Sequence, residues 1–172
     1  MRTQLYIDGE LRTVDIEDGR ITTVNDEPKE VEIKTGWERL ELMQRYYMTN
    51  GESQPETYHP EDAGRYENAD YFGSAALAAD VARAQEIWRK LMRWQAENDA
   101  PVYWGNDAID HYYIYFVYHS KTFYVGRLYF WQDAFNVYFS TEEAAYRALE
   151  IFHDDLLWLF TEFQYRLDGD VE

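Results

Sequence analysis

Two aromatic runs separated by a three-residue connection constrain this chain more than any other feature. His111-Tyr112-Tyr113-Ile114-Tyr115-Phe116-Val117-Tyr118 and Thr122-Phe123-Tyr124-Val125-Gly126-Arg127-Leu128-Tyr129-Phe130-Trp131 flank His119-Ser120-Lys121. β-Branched and aromatic side chains at this density favour extended backbone, and so short a connection makes the two runs pair antiparallel. Large side chains fall on both faces, so the sheet is either covered on two sides or presents an aromatic face outward. Gly126 stands alone within its run and marks a bulge or a close approach. Asn136 to Phe139 is expected as a third strand.

The segments around this sheet carry their own signals. Between residues 3 and 34, Leu5 to Ile7, Leu11 to Ile16 and Ile21 to Val24 are separated by Asp8-Gly9 and Asp18-Gly19. That dipeptide tolerates the positive φ angles of tight hairpin turns, so a small antiparallel meander is expected, with a further strand from Val31 to Lys34. Residues 37–44 are ambiguous: the spacing Trp37, Leu40, Met43, Tyr47 fits a short amphipathic helix, whereas Tyr46-Tyr47-Met48 running into Asn50-Gly51 suits a hairpin. Strands are expected from about Arg45 to Tyr58 around Asn50-Gly51, and residues 59–70 read as an acidic loop.

Ala75 to Asn98 reads as a long helix: Leu77, Val81, Ala84, Trp88 and Leu91 recur at three- and four-residue steps, Ser74 is placed to cap it, and Pro101 follows its end. Ser140-Thr141-Glu142-Glu143 reads as a capping box opening a helix with Ala144, Ala148, Leu149 and Phe152 on one face. After His153-Asp154-Asp155 a second helix is expected to turn Leu156, Leu159, Phe160, Phe163 and Leu167 inward.

One echo links the two halves. Tyr71-Phe72-Gly73-Ser74 precedes an alanine-rich helix, as Tyr138-Phe139-Ser140-Thr141 does. The expected architecture is α+β: an N-terminal antiparallel β meander (1–36), a hairpin, acidic loop and long central helix (37–104), and an aromatic antiparallel hairpin sheet closed by two helices (105–172).

Tyr46-Tyr47 with Asn50-Gly51-Glu52, then Tyr71-Phe72, then Asp110-His111-Tyr112-Tyr113-Ile114-Tyr115, then Val137-Tyr138-Phe139-Ser140-Thr141-Glu142-Glu143-Ala144 resembles an uncharacterised group of phage and prophage accessory proteins. In that group a KYYIYYD strand is followed by VYFxSxExA and a closing helix. The resemblance spans about residues 37–160. The chain departs from it by His111 in place of a lysine and by its longer aromatic run. The resemblance implies a phage context, in which small acidic proteins bind and block host factors, and it assigns no functional residue.

Charge narrows the function. The 172 residues hold 16 Lys and Arg against 33 Asp and Glu, a net charge of −17. This lacks the basic footprint through which ordinary nucleic-acid binders neutralise phosphates. The excess is uneven: residues 140–172 hold 2 basic and 9 acidic groups, whereas residues 73–104 hold 4 of each. The absence of cysteine excludes disulfides, thiolate zinc sites and cysteine nucleophiles. No apolar stretch approaches the roughly 20 residues of a membrane span, and a cytoplasmic location is expected.

Catalytic signatures are lacking. The histidines His59, His111, His119 and His153 show no His-x-x-x-His spacing, so no metal site and no cofactor are expected. No Gly-x-Ser-x-Gly or glycine-rich phosphate loop occurs. Asp168-Gly169-Asp170 lacks the rest of a calcium loop. The strip Arg83, Arg89, Lys90 and Arg93 reads as a solvated helix face.

Tyrosine and tryptophan anchors are enriched at binding hot spots, and acidic flanks steer a basic partner. The expectation is therefore a non-enzymatic acidic binding protein, as a phage inhibitor that mimics DNA towards a host nuclease such as a CRISPR effector. Its carboxylates would be Glu61, Asp62, Glu67 and Asp70 in the acidic loop and Asp154, Asp155, Asp168 and Asp170 towards the C-terminus. The partner would be a basic protein surface rather than nucleic acid or membrane. Two alternatives are a self-associating assembly protein and a small carbohydrate- or nucleotide-handling enzyme. The simplest alternative is a bulky aromatic core kept soluble by acid.

Overall fold

A computed structural model of the chain describes residues 35–163 apart from Asp107 and Phe130, together with the backbone of three strands between residues 2 and 23. Its contacts gather into two units, Met1–Glu32 and Ile33–Glu172, so residues 37–104 and 105–172 belong to the same unit. In the first unit β1 (Arg2–Ile7), β2 (Glu10–Glu17) and β3 (Arg20–Thr23) form an antiparallel sheet in the order β1-β2-β3. Ile7 pairs with Glu10 and Glu17 with Arg20, the register of two-residue hairpin connections. The strand expected from Val31 to Lys34 lies outside the described residues.

In the second unit β4 (Arg45–Tyr47) and β5 (Ser53–Pro55) pair antiparallel, with Tyr46 opposite Gln54. Gly51 takes φ 85° in the connection, a left-handed conformation that glycine adopts without a Cβ penalty. Residues 37–44 are irregular chain with one turn at 42–43 rather than a helix. There the Glu38 carboxylate accepts from the Thr35 and Gly36 amides, both at 2.9 Å.

The stretch expected as an acidic loop is instead largely helical: α1 spans Pro60–Glu67. Proline suits the first helical turn, where its missing N–H has no helical acceptor. His59 caps the helix, and the Asp62 side chain reaches back to the His59 amide at 3.2 Å. Acidic residues in the first turn also complement the helix dipole. These carboxylates start a helix; they do not mark a loop.

α2 (Ala75–Asn98) follows the expected bounds, with Ser74 accepting from the Leu77 amide. Its buried face is Leu77, Ala78, Val81, Ile87 and Leu91, whereas Trp88 is 39% exposed. β6 (His111–Val117) and β7 (Thr122–Leu128) form the aromatic hairpin, and β8 (Tyr138–Phe139) pairs with β6 in the order β7-β6-β8.

The two helices expected after Ser140 are one continuous helix, α3 (Glu142–Thr161). Its cap is Thr141, which accepts from the Ala144 amide at 3.1 Å, rather than Ser140. His153-Asp154-Asp155 does not break it, since those residues include neither Gly nor Pro and His153 and Asp154 point to solvent.

The inner face of the sheet packs on α3, with Phe116 and Phe123 5.6 and 5.8 Å from Phe160. Ile87, Leu91, Ile114, Phe139, Ala145, Ala148 and Leu156 meet in one core between sheet and helices. Arg83 lies over the Trp158 ring at 3.9 Å and within 3.7 Å of Asp155, tying α2 to α3.

The echo seen in the sequence has a geometric counterpart. Phe72 bridges to Tyr47 as Phe139 pairs with Tyr112, so each Tyr-Phe dipeptide lies beside the first strand of a hairpin and then leads into a capped helix.

The end of α2 is fastened to the start of α3. Asp99, the C-cap of α2, accepts from the Ser140 amide at 2.7 Å and from the Ser140 hydroxyl. Asp99→Ala leaves both donors unpaired. It should lower stability by about 1–2 kcal/mol in urea titration, on the cost of partly buried unmet donors. A midpoint equal to that of the parent chain would show that water replaces the carboxylate without loss.

Candidate interaction surface

The carboxylates expected to meet a partner have different fates. Glu61 and Glu67 are exposed on α1, while Asp62 is buried at 4% exposure. Asp70 accepts from the Thr49 amide and hydroxyl at 2.8 and 2.9 Å. Asp154 is exposed beside His153, and Asp155 faces Arg83. Asp168 and Asp170 lie outside the described residues. Among the described residues the structure does not bring these carboxylates into one array: three reach solvent on two different helices, and the other three are held by the chain itself.

Asp62 belongs to a buried polar clamp that sequence spacing does not reveal. Tyr46 and Tyr71 stack with centroids 4.1 Å apart and planes 17° apart, and both are buried. The Tyr71 hydroxyl donates to Glu56 Oε2 at 2.7 Å and accepts from the Leu40 amide at 3.1 Å. Glu56, wholly buried, also receives the Tyr58 amide at 2.7 Å and Arg39 Nη2 at 3.3 Å. On the other ring, the Tyr46 hydroxyl donates to Asp62 Oδ1 at 2.8 Å and accepts from Arg65 Nη1 at 2.6 Å. Asp62 Oδ2 takes the Thr57 hydroxyl and amide at 2.6 and 2.9 Å.

The electrostatics mark this clamp as scaffolding. Hydrogen bonds from the Thr57 side chain, with those of its amide, Tyr46 and His59, outweigh burial and hold the Asp62 carboxyl down to about 2. Burial alone raises Glu56, but the bonds from Tyr71 and Arg39 leave it below its ordinary value. Burial and then the Glu56 carboxylate push the Tyr71 phenol upward. A carboxylate pair built for acid–base work keeps one member protonated near neutrality. Here both are ionised and their oxygens are occupied by the chain's own donors. Among the described residues no group of three or more His, Asp or Glu is placed to hold a metal ion, and no helix is long and apolar enough to cross a membrane.

The outer face of the β7-β6-β8 sheet is different. Register places His111, Tyr113 and Tyr115 of β6 on the same side as Leu128, Gly126 and Tyr124 of β7, with Tyr138 of β8 opposite Tyr113. One end is closed. Trp104 stacks on His111 at 4.0 Å with planes 7° apart and meets Tyr138 edge-on at 4.9 Å. His111 Nε2 donates to the Tyr103 carbonyl at 3.1 Å. In the middle, Tyr113 lies across Gly126, where an added Cβ would stand 2.8 Å from the ring, so glycine is what allows the crossing.

The other end is open. Tyr115 and Tyr124 stand opposite each other with centroids 5.7 Å apart and planes 25° apart, at 38% and 42% exposure.

No family model, curated protein or solved structure matches this chain.

The open rings therefore have to be read from their own chemistry. Among the described residues four arginines already lie over aromatic rings: Arg39 over Tyr58, Arg65 over Tyr46, Arg83 over Trp158 and Arg147 over Trp94. Among the described residues no cation lies over Tyr115 or Tyr124. Their faces carry the negative quadrupole that attracts guanidinium and ammonium groups. The aromatic density was visible in the sequence. That Tyr115 and Tyr124 form the exposed pair becomes visible only once the hairpin register is known.

Proposed function

We propose that the chain is a non-enzymatic binding protein that docks on a basic protein surface through the open tyrosine end of the β7-β6-β8 sheet. In a phage context this is the behaviour of an inhibitor that occupies the basic channel of a host nucleic-acid-handling protein such as a CRISPR effector. The observation that carries the reading is the Tyr115–Tyr124 pair, two half-exposed rings on a sheet whose other face is sealed against α3. Tyrosine buries large area with little entropy loss and is enriched among binding hot spots. The net charge of −17 favours a cationic partner. The same charge repels nucleic acid and opposes face-to-face pairing of two copies, the alternative that exposed rings also permit.

The test has two arms, with partner captured from host lysate at low salt. Tyr115→Ala with Tyr124→Ala should weaken capture about 10- to 100-fold, the scale of losing hot-spot anchors, and act mainly on dissociation. Glu61→Gln, Glu67→Gln and Asp154→Asn together should slow association and flatten its salt dependence. Duplex DNA should compete for the partner if a nucleic-acid channel is occupied. Capture insensitive to both sets of substitutions would refute the reading, and concentration-dependent dimers through the same rings would replace it with self-association.

A further inference from the structure

We infer that the partner engages as an extended basic segment, adding a strand to the free edge of β7 and laying alternate arginine or lysine side chains over Tyr124 and Tyr115. This rests on the docking role proposed for the tyrosine end and specifies its geometry. β7 is the outer strand in the order β7-β6-β8, and among the described residues only β6 pairs with it. An unpaired edge presents a row of backbone donors and acceptors that can template another strand. Proteins usually blunt such edges with proline, several charged side chains, bulges or very short strands. β7 runs seven residues, Thr-Phe-Tyr-Val-Gly-Arg-Leu, without proline, its one charged side chain, Arg127, is paired with Asp110 at 3.3 Å, and its pairing with β6 runs without a bulge from Thr122 to Leu128.

The side-chain geometry matches the edge. A strand added beside β7 places alternate side chains on the outer face, about 5 Å from their cross-strand neighbours. A residue opposite Tyr124 then projects along its ring, and Tyr115 lies one strand further in. Main-chain bonds would supply affinity and the rings would select side chains, as in other strand-addition complexes. The open ring faces favour a cationic side chain, and the net charge of −17 favours a basic segment over a second copy.

The probe is a mixture of octapeptides with arginine at alternate positions and random residues between, added to the whole chain at low salt. Binding should slow amide hydrogen exchange at alternate residues of β7. N-methylation of one alternating set of peptide residues should weaken binding at least about tenfold, while methylation of the other set should leave it nearly unchanged, because only one set faces the edge. Tyr124→Ala should weaken it about tenfold through loss of the ring contact.

Peptide binding with unchanged β7 exchange, or indifferent to N-methylation, would overturn strand addition while leaving tyrosine docking intact. Absence of peptide binding, alongside lysate capture that still depends on Tyr115 and Tyr124, would do the same. Protection of β7 that grows with chain concentration and needs no peptide would assign the edge to a second copy and overturn the inference. Lysate capture that ignores Tyr115 and Tyr124 would remove the docking role itself.

Discussion

Glu56→Ala should cost about 3 kcal/mol of folding free energy, read as a lowered urea midpoint at unchanged slope. Glu56 is wholly buried, and its two oxygens collect the Tyr71 hydroxyl, the Tyr58 amide and the Arg39 guanidinium. Removing it strands the Tyr71 hydroxyl inside the protein at roughly 1–3 kcal/mol and leaves a cavity where the side chain packed. Arg39 contributes less to the loss, because its side chain is 34% exposed and water can take over its solvation. Glu56→Gln keeps the volume and one acceptor, so it should cost clearly less than alanine. Equal effects of the two substitutions would mean that charge rather than hydrogen bonding dominates the site.

Acid should unfold the chain partly through Asp62. Its carboxyl is held at about 2 in the folded protein against an ordinary 3.8, so the folded state binds the proton less readily than the unfolded state does. The resulting stability is complete above the unfolded value and is lost as the pH falls from about 4 through about 2. Asp62→Asn should therefore reduce the slope of stability against pH by up to about 1.4 kcal/mol per pH unit within that window, one proton's worth. At neutral pH the substitution should also cost about 2 kcal/mol. An amide can accept at one position only, whereas Asp62 receives Tyr46, Thr57 and His59. Glu56, lowered in the same direction, contributes to the acid limb in the same sense. An unaltered slope in Asp62→Asn would place the acid sensitivity elsewhere.

The parts that local signals specify were legible in the sequence. Asp8-Gly9 and Asp18-Gly19 separate strands that pair, Ser74 caps α2, and the runs around His119-Ser120-Lys121 form a hairpin. In the acidic stretch position outweighs composition: Pro60 and Asp62 occupy the places in His59-Pro60-Glu61-Asp62 that open a helix. The same holds in α3, where polarity at His153-Asp154-Asp155 marks an outer face rather than an end.

The clamp was beyond reach for another reason. Tyr71 meets Glu56 and Leu40 across 15 and 31 residues, and no local pattern records such a meeting. Sixteen residues separate Asp62 from Tyr46, so the carboxylate looked like any other member of an acidic run.

The clamp also governs how such a chain can diverge. Each of Tyr46, Glu56, Asp62 and Tyr71 satisfies another, so one exchange orphans a neighbour and only concerted replacement restores the set. Tyr115 and Tyr124 carry no such obligation, and variation there would alter the proposed recognition without dismantling the foundation. On the proposed docking role, descendants of this chain would be free to change targets at one end of the sheet while inheriting, nearly intact, the stacked rings and their carboxylates beneath the other hairpin.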